Sequence, residues 1–337
     1  MIDVTVQTMR GLRVSDYSGT SATQVAELPV PMPGPNEVLI RVGASALNFL
    51  DLLMIEGKYQ VKPPLPFVPG RDLAGEIVAV GAEVSSLRIG QRVAAQPAFG
   101  AFAEYAVAGD HLCQPLPDAV DDVAGAASGI VLATIVGAIK LRGQLQPGQW
   151  ILITGAAGGV GTAAVQYARQ LGGNVVTVVS SEEKAHLVKT LGANVVLRSD
   201  LLGTDKTNIR DALKKEGIEG IDVVVDMVGG ANVDGLLRSL NAGGRFVIVG
   251  FASGQIPHFP ANYLLLKDLV VYGSSLDRLF RERDPALRQG ILEAFDLLAT
   301  GRMTAEVDSV LPFSRFADGV ERLRDRRSAG KIVFRGF

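Results

Sequence analysis

One segment restricts the fold more than any other: WILITGAAGGVGTAAVQYARQLGG, which begins at Trp150. A strand pattern, Ile151–Thr154, runs into the glycine-rich stretch Gly155–Gly161, and a helical pattern with an apolar face follows. Glycines let the backbone approach a pyrophosphate, and the start of the helix offers free N–H groups and a positive dipole end. Between a strand and a helix, this motif predicts dinucleotide binding, although Ala156 replaces the first glycine of the fingerprint; a glycine-rich turn without a ligand is the alternative. The predicted contacts are Gly155, Ala157, Gly158, Gly159, Val160 and Gly161.

The segments around this loop show two kinds of pattern. From residue 9 to residue 45, and again at GQRVAAQ and AFAEYAVAG, alternating and β-branched residues indicate strands. A long apolar, alanine-rich stretch from residue 122 predicts one or two buried helices that end at Gly143. Strands then alternate with helices, which predicts a parallel doubly wound sheet. We place its strands at Trp150–Thr154, Val175–Val179, Asn194–Leu197, Ile221–Asp226 and Gly244–Val249.

The end of the second of these strands bears on the choice between NADH and NADPH. In NAD enzymes an acidic residue about 20 residues after the loop binds the ribose 2′-OH. Here the sequence is VVSSEEK, in which Ser180, Ser181 and Lys184 suit a 2′-phosphate that a carboxylate would repel. The alternatives are that Ser180 and Glu183 form a capping box and that Lys184 is a solvated helix residue. We expect NADPH as the cofactor, although Glu182 and Glu183 add negative charge nearby.

The overall charge and the cysteine count argue against several classes of protein. A formal net charge of −2 gives no electrostatic basis for binding nucleic acid or an anionic membrane. We expect no apolar run as long as the ~20 residues of a membrane span, and no signal peptide. The single cysteine, Cys113, excludes an intramolecular disulfide. A chain of 337 residues is long enough for two domains, and we expect a soluble, cytoplasmic protein.

Several motifs make the chain similar to a known family. They are PNEVLIRVGASALNFLDLLMIEGKY, LPFVPGRDLAGEIVAVG, GAAGGVGTAAVQYARQLG, IDVVVDMVGG and GKIVF. From Met9 to Val333 the sequence resembles the zinc-free quinone oxidoreductase branch of the medium-chain dehydrogenase/reductase superfamily. The resemblance implies an α/β fold with a GroES-like β-barrel catalytic domain, residues 1–124 and 267–337, and a Rossmann NADP-binding domain with a doubly wound parallel sheet, residues 125–266. It also implies an active site in the cleft between the domains, and a homodimer or homotetramer joined at sheet edges near KDLVVYGSSL.

The resemblance also bears on metal binding. Zinc alcohol dehydrogenases carry a cysteine at the position matching Asn48 and a His-Glu pair at the positions matching Arg71 and Asp72. One cysteine cannot supply the thiolates of their other zinc ligands, and the three histidines show no metal spacing. An amide, a guanidinium and one carboxylate do not make a tetrahedral zinc site. We therefore expect no metal, and we expect Arg71 and Asp72 each to pair with a neighbour in the barrel.

The segment NFLDLLMIEGKY contains the candidates for chemistry. In related quinone and enoyl-thioester reductases, the residues matching Asn48, Asp51 and Tyr59 line the substrate pocket. We expect Asn48 to donate a hydrogen bond to the oxygen where charge develops, and Tyr59 or a water to deliver the proton. Asp51 is expected to hold local structure or a water chain. The alternatives are a turn-capping amide for Asn48 and a barrel-rim aromatic for Tyr59.

The resemblance implies further cofactor contacts. Thr134 matches a threonine near the nicotinamide and pyrophosphate, although VLATIVGAI departs from the family pattern around it. Many members have a tyrosine over the adenosine phosphate where this chain has Ser199, and the preceding Arg198 is a candidate to replace it as a phosphate partner. Backbone positions near the nicotinamide match Gly250, Phe251, Gly273 and Ser274.

These observations favour an NADPH-dependent reductase, similar to NADPH:quinone oxidoreductases, that transfers a hydride to a quinone or an α,β-unsaturated carbonyl without zinc. Its expected partner is a small-molecule substrate, with no nucleic acid and no membrane. An enoyl-thioester reductase of lipid metabolism would share the chemistry. A non-catalytic NADPH-binding sensor or structural protein would leave the residues at the cleft dispensable.

Overall fold

The computed structural model describes residues 7–60, 62–202 and 208–337, which divide into two compact units. Unit 1 holds the described residues up to Val131 together with Phe295–Gly301 and Ala305–Phe337, and unit 2 holds the described residues between Leu132 and Ala294 together with Arg302–Thr304. The sequence led us to expect divisions at 124/125 and 266/267. Where independently folding domains begin and end stays a prediction.

Unit 1 is built on β-strands. Strands β1 and β2 form an antiparallel pair, and a seven-stranded sheet has the order β14-β15-β3-β4-β5-β7, with β6 paired to β3. The last strand, β15, runs antiparallel to β3, so GKIVF returns to the first unit as expected. The strands are β1 Thr8–Val14, β2 Thr23–Pro29, β3 Glu37–Leu47, β4 Leu73–Val80, β5 Arg92–Ala95, β6 Tyr105–Gly109, β7 Cys113–Pro115, β14 Val307–Leu311 and β15 Lys331–Phe334, and the helices are α1 Phe49–Ile55 and α10 Phe316–Arg324.

An aromatic cluster joins the segment around residue 102 to the C-terminal segment in the core of unit 1. Phe102 is fully buried, and its ring centroid lies 5.9 Å from that of Phe313, 5.7 Å from that of Phe316 and 5.8 Å from that of Phe334. Edge-to-face and tilted contacts at this separation stabilise aromatic pairs beyond their buried area. The C-terminal segment is therefore part of the core that fixes the position of β15.

Unit 2 contains a six-stranded sheet in which all strands are parallel, with the order β10-β9-β8-β11-β12-β13. This is the doubly wound order, and it confirms the parallel sheet predicted from the alternating pattern. The strands are β8 Trp150–Thr154, β9 Asn174–Val179, β10 Val195–Arg198, β11 Ile221–Asp226, β12 Leu240–Ile248 and β13 Val270–Gly273. The helices are α3 Gly159–Gln170, α4 Glu182–Thr190, α5 Asn208–Lys215, α6 Val233–Ser239, α7 Ala261–Lys267 and α8 Leu276–Arg281. Helix α9, Pro285–Ala299, begins in unit 2, and its residues from Phe295 onward belong to unit 1.

One strand of this sheet begins earlier than the sequence predicts. Strand β12 starts at Leu240, which pairs with Ile221, and the ladder then shifts register before Arg245 pairs with Val223. Glycines at 243 and 244 interrupt the β-branched pattern, so the sequence predicts that the strand starts at Gly244. A β-bulge of this kind is not visible in residue alternation.

The apolar stretch from residue 122 forms one continuous helix. Helix α2, Asp122–Ile135, continues as a π-helix over Val136–Arg142 and stops at Gly143, as predicted. Contrary to our expectation from the sequence, this 21-residue helix, whose most apolar window has a mean hydropathy of 1.8, is long and apolar enough to cross a membrane. However, 78% of its most apolar window is buried inside the protein, which is consistent with the core helix of a soluble protein.

Candidate cofactor and substrate sites

The glycine-rich loop of unit 2 connects the end of β8 to the start of α3. Gly155 has a φ of +64°, a conformation that side chains rarely adopt, and α3 begins at Gly159. A Cβ at Gly161 would lie 2.3 Å from the carbonyl oxygen of Gly155, so only glycine allows this turn to pack so closely. The first N–H groups of α3 have no partners within the helix. The loop therefore provides the cradle that a pyrophosphate requires.

The strand order brings the other predicted cofactor residues to the same edge of the sheet. The amide of Ser274, after β13, donates to the carbonyl of Ile248 at the end of β12. The amide of Gly250 donates to the carbonyl of Asp226 at the end of β11, and Phe251 is 38% exposed. Parallel strands place their carboxyl ends together, and dinucleotides bind at that edge. The residues collected there are those of the glycine-rich loop with Ser180, Ser181, Arg198, Gly250, Phe251, Gly273 and Ser274.

A buried pair at this edge was not found from the sequence. Strands β8 and β11 are neighbours, and the hydroxyl of Thr154 donates to Asp226 Oδ1 at 2.5 Å. The same carboxylate accepts hydrogen bonds from the amides of Val228 and Gly229. This network fixes the turn after β11 beside the glycine-rich loop. Each residue ends its strand, but only the strand order shows that the two meet.

At the expected ribose position, the capping residue differs from the one we considered. Ser181, not Ser180, is the N-cap of α4, and its hydroxyl accepts a hydrogen bond from the amide of Lys184 at 3.3 Å. Ser180 is exposed beside it. Ser181 therefore has a structural role at the helix start, and Ser180 keeps its side chain in the solvent.

The guanidinium of Arg198 is held by two carboxylates. It donates to Asp200 at 2.9 Å and 2.5 Å and forms a second ion pair with Glu182. These hydrogen bonds, first of all those to Asp200, raise the pKa of Arg198, so it stays cationic. A 2′-phosphate would have to share or replace these partners. The neighbouring Ser199 hydroxyl donates to the carbonyl of Val179 at 3.2 Å.

Two further residues predicted to contact the cofactor, Thr134 and Lys184, lie within helices. Thr134 is half-buried in α2, and Lys184 is half-buried in the first turn of α4. The structure places them in regular helix. Their contacts with a cofactor stay predictions.

In unit 1 the candidate Asn48 is the N-cap of α1. Its own backbone N–H donates to Asp51 Oδ2 at 2.8 Å, so Asp51 supports the start of the helix, as one of our expectations had it. Asp51 is fully buried, and among the described residues its Oδ1 has no hydrogen-bond partner. Tyr59 follows α1, is half-buried and packs against the core of unit 1. The positions of Asn48 and Tyr59 are thus compatible with the alternatives of a turn-capping amide and a barrel-rim aromatic.

A buried lysine completes this cluster, and sequence reasoning missed its role. Lys331, the first residue of β15, is 6% exposed, and its Nζ donates to Asn48 Oδ1 at 2.7 Å and to the carbonyl of Leu47 at 3.1 Å. It also lies 3.6 Å from Asp72 Oδ2. Asp72 in turn accepts a hydrogen bond from the amide of Ile130. The sequence contained the motif GKIVF, but nothing in it connects residue 331 with residue 48.

Arg71 and Asp72 therefore both have partners in unit 1, as expected. The Nε of Arg71 lies 3.4 Å from the carbonyl of Pro97, and Asp72 pairs with Lys331. Over residues 7–60, 62–202 and 208–337, no group of three or more His, Cys, Asp or Glu side chains is placed to hold a metal ion.

Burial shifts the titration of the three charged groups in this cluster. Desolvation raises the pKa of Asp51 to about 6 and that of Asp72 to about 7, because the charged carboxylate loses water. Desolvation also lowers the pKa of Lys331. The attraction between the lysine and the two carboxylates opposes each shift. The cluster is thus a set of buried groups whose charges depend on one another.

Comparison with known proteins agrees with this architecture. Residues 34–118 match the family model of the alcohol dehydrogenase GroES-like domain, and residues 159–289 match that of the zinc-binding dehydrogenases. The two units thus define a two-domain oxidoreductase with a GroES-like N-terminal domain and a Rossmann-like parallel sheet, which confirms the expected fold class.

The curated relatives identify the branch of these two-domain oxidoreductases to which the chain is similar. Quinone oxidoreductase-like protein 2 of Bos taurus is 32% identical over 312 residues, which cover 92% of this chain and 88% of that protein. Quinone oxidoreductase of Lama guanicoe is 33% identical over 334 residues, 96% of this chain and 97% of that protein. The solved Escherichia coli quinone oxidoreductase complexed with NADPH is 26% identical, with a TM-score of 0.88 over 97% of this chain and 99% of that one. The chain belongs to the quinone oxidoreductase branch of the medium-chain dehydrogenase/reductase superfamily.

Proposed function

We propose that this protein is an NADPH-dependent reductase that reduces a quinone or an α,β-unsaturated carbonyl without zinc. One observation carries the proposal: Asp72, at a position where zinc alcohol dehydrogenases have a ligand, is paired with the buried ammonium of Lys331. A carboxylate neutralised in this way is a poor metal ligand, and the side chain at 48 is an amide engaged by the same lysine. Activation of a carbonyl would then depend on hydrogen bonds.

The glycine-rich loop and the edge of the six-stranded sheet support the cofactor. The left-handed Gly155 and the tightly packed Gly161 form a turn that ends at the start of α3, where free N–H groups suit a pyrophosphate, and Arg198 supplies a cation at the ribose end. The related E. coli protein was solved with NADPH. When bound, NADPH supplies a hydride, which is the difficult part of the reaction.

In unit 1 the residues would act on the substrate oxygen. We assign to Asn48 the donation of a hydrogen bond from Nδ2 to the oxygen on which negative charge develops, because such fixed donors stabilise charge that appears during reaction. Tyr59 or a water would supply the proton. Asp51 holds the backbone of Asn48 through the hydrogen bond at the start of α1.

The protein is further proposed to be a soluble, cytoplasmic homodimer or homotetramer. Strand β13 is an edge strand of the six-stranded sheet, and Val270 on it is 40% exposed. Leu265 and Leu266, on the preceding helix α7, are 80% and 77% exposed. Edge strands with exposed apolar neighbours pair with other chains unless they are covered.

The decisive experiment is anaerobic oxidation of NADPH and of NADH by chelator-treated protein. The acceptors are a simple quinone, a short 2-enal or enone, and a crotonyl thioester. Turnover of NADPH with the quinone or the enone supports the proposal. Turnover with the thioester alone makes the protein an enoyl-thioester reductase. Tight NADPH binding without turnover makes it a non-catalytic binding protein, and loss of activity on chelation that zinc restores refutes the zinc-free mechanism.

The Tyr59→Phe variant tests the proton donor. Enone reduction leaves an enolate that needs a proton at carbon, whereas a reduced quinone is protonated readily by water. We expect turnover of the enone to fall by roughly 10²-fold or more, the lower end of the range of general acid catalysis, and turnover of the quinone to change much less. Small and equal effects on both would assign the proton to water.

A further inference from the structure

Lys331 lies beside Asn48 because of long-range strand pairing. In the antiparallel ladder of β15 with β3, Ile332 is opposite Leu47, so the residue before Ile332 meets the residue after Leu47. The lysine side chain is buried, and its Nζ donates to Asn48 Oδ1 and to the carbonyl of Leu47. Its charge is paired with the carboxylate of Asp72, 3.6 Å away, so the ammonium has two hydrogen bonds and one ion pair in unit 1.

This contact fixes the orientation of the Asn48 side chain. Since the ammonium can only donate, the atom of the amide that faces it must be the oxygen, Oδ1. The NH2 group then faces other acceptors: its contact with the carbonyl of Ala46 is long, at 3.4 Å, and the Asn48 side chain also interacts with the carboxylate of Asp72. A long contact is weak and gives way to a shorter hydrogen bond. The backbone N–H of Asp51, in the capping box at the start of α1, faces the Asn48 side chain as well, so the lysine reinforces this orientation.

The lysine is itself held in place by Asp72. The carboxylate is fully buried, lies 3.6 Å from Nζ and is anchored by the amide of Ile130. A buried ammonium needs such a counter-charge to stay in the interior. The contacts thus form one chain, from the backbone of Ile130 through Asp72 and Lys331 to the amide of Asn48.

We propose that Lys331 is a positioning residue, which holds the side chain of Asn48 with its NH2 group turned toward the substrate oxygen, and that Asp72 holds Lys331. This inference rests on the proposed role of Asn48 as the hydrogen-bond donor in carbonyl reduction. Lys331 does not contact the substrate in this scheme. Its effect on turnover passes entirely through the amide of Asn48.

The test is a double-mutant cycle on Lys331→Met and Asn48→Ala in the full-length protein. The assay measures kcat and KM with the acceptor that the wild type reduces, together with the Kd for NADPH. We expect Asn48→Ala to lower kcat by roughly 10²- to 10³-fold, as loss of one fixed donor does, and Lys331→Met to lower it by at least ~10-fold. The Kd for NADPH should stay within about twofold, and the double variant should be no slower than Asn48→Ala alone, because coupled residues are not additive.

Two further variants serve as controls. Lys331→Arg keeps a buried cationic donor and should recover most of the kcat lost in Lys331→Met. Lys140→Met removes a lysine whose pair with Glu293 is exposed, and its kcat should equal that of the wild type. If Lys331→Met leaves Asp72 unpaired and does not fold, Lys331→Met combined with Asp72→Asn removes both charges and should show the same loss of kcat.

The outcomes separate this inference from the proposed function. Unchanged kcat in Asn48→Ala rejects the donor role of Asn48, and with it the basis of the inference. A large effect of Asn48→Ala with wild-type kcat in Lys331→Met rejects only the positioning role. If the losses of kcat in Lys331→Met and Asn48→Ala add in the double variant, Lys331 acts by another route. If neither Lys331→Met nor its combination with Asp72→Asn folds, the ion pair serves stability alone. Each of the last two results overturns the inference.

Discussion

Two alanine substitutions three residues apart in the glycine-rich loop should have very different effects. A methyl group at Gly161 would lie 2.3 Å from the carbonyl oxygen of Gly155, and one at Gly158 would lie 3.4 Å from the same atom. The first distance forces the backbone to move, while the second is an ordinary contact. Gly158 has φ −79° and ψ 172°, which alanine adopts without strain. The two variants therefore add the same methyl group to the same loop, but only Gly161→Ala produces a clash.

Helix propensity and steric repulsion predict opposite results at Gly161. Replacing glycine by alanine inside a helix stabilises the helix by about 1 kcal/mol when the added methyl group clashes with no other atom. Overpacking against a fixed backbone costs roughly 1–3 kcal/mol, and here the contact is with a carbonyl oxygen, so we expect the larger end of that range. The free energy of unfolding of Gly161→Ala should therefore fall by on the order of 1–2 kcal/mol net. Gly158→Ala should lose less than about 1 kcal/mol, the usual difference between these residues at an N-cap.

Urea denaturation and NADPH titration by fluorescence check both parts of this prediction. Because the loop must shift relative to α3, Gly161→Ala should weaken NADPH binding by about tenfold or more, equal to about 1.4 kcal/mol. Gly158→Ala should bind several times more tightly than Gly161→Ala. If Gly161→Ala were as stable as the wild type and bound NADPH normally, the close packing of strand, loop and helix would not be what requires glycine there.

Three further results are expected. Glu182→Gln removes a carboxylate from Arg198 and should tighten NADPH binding by up to about fivefold, the worth of an exposed ion pair, while NADH binding and the control Glu183→Gln stay unchanged in fluorescence titrations. Burial raises the pKa of Asp51 in the folded protein to about 6, against about 3.9 in the unfolded chain, so the folded state binds a proton more tightly. The free energy of unfolding should therefore fall as the pH rises from about 4 to 6. In urea denaturation at pH 4, 5.5 and 7, Asp51→Asn should remove up to about 3 kcal/mol of that fall. Parallel stability curves for the two proteins would contradict this. Val270→Lys should shift the mass measured by light scattering toward the monomer, since a lysine on an edge strand opposes pairing, and an unchanged oligomer would place the interface elsewhere.

The parts of the molecule that could be predicted from sequence are those governed by local patterns. Strand β8 and helix α3 have strong periodicity, and glycines mark the turn between them, so both elements and the loop that joins them were predictable. The sequence predicts strands β8 and β11 at their observed bounds. It predicts the start of β12 four residues late, because the first residues of that strand pair across a bulge next to glycines. Local propensity contains no information about a partner strand at that point.

The residues that were missed are joined by contacts between distant segments. Thr154 and Asp226 are separated by 72 positions and meet only because β11 lies beside β8. Lys331 and Asn48 are separated by 283 positions. The ion pairs of Arg198 could have been suspected from Asp200, two residues later, but the second partner comes from the start of α4. Which charges meet depends on strand order and register, and one sequence does not show them.

The lysine–carboxylate pair bears on the question of metal more strongly than the residue types alone. A divalent cation at Asp72 would have to share the carboxylate with the ammonium of Lys331, which lies 3.6 Å away and is anchored by β15. Two cations that share one carboxylate repel strongly in a buried site, where little water screens them. The ammonium already supplies the positive charge that the buried carboxylate requires, and it does so through a covalent tether. A change at residue 72 toward a metal ligand would therefore need a matching change at residue 331, at the other end of the chain.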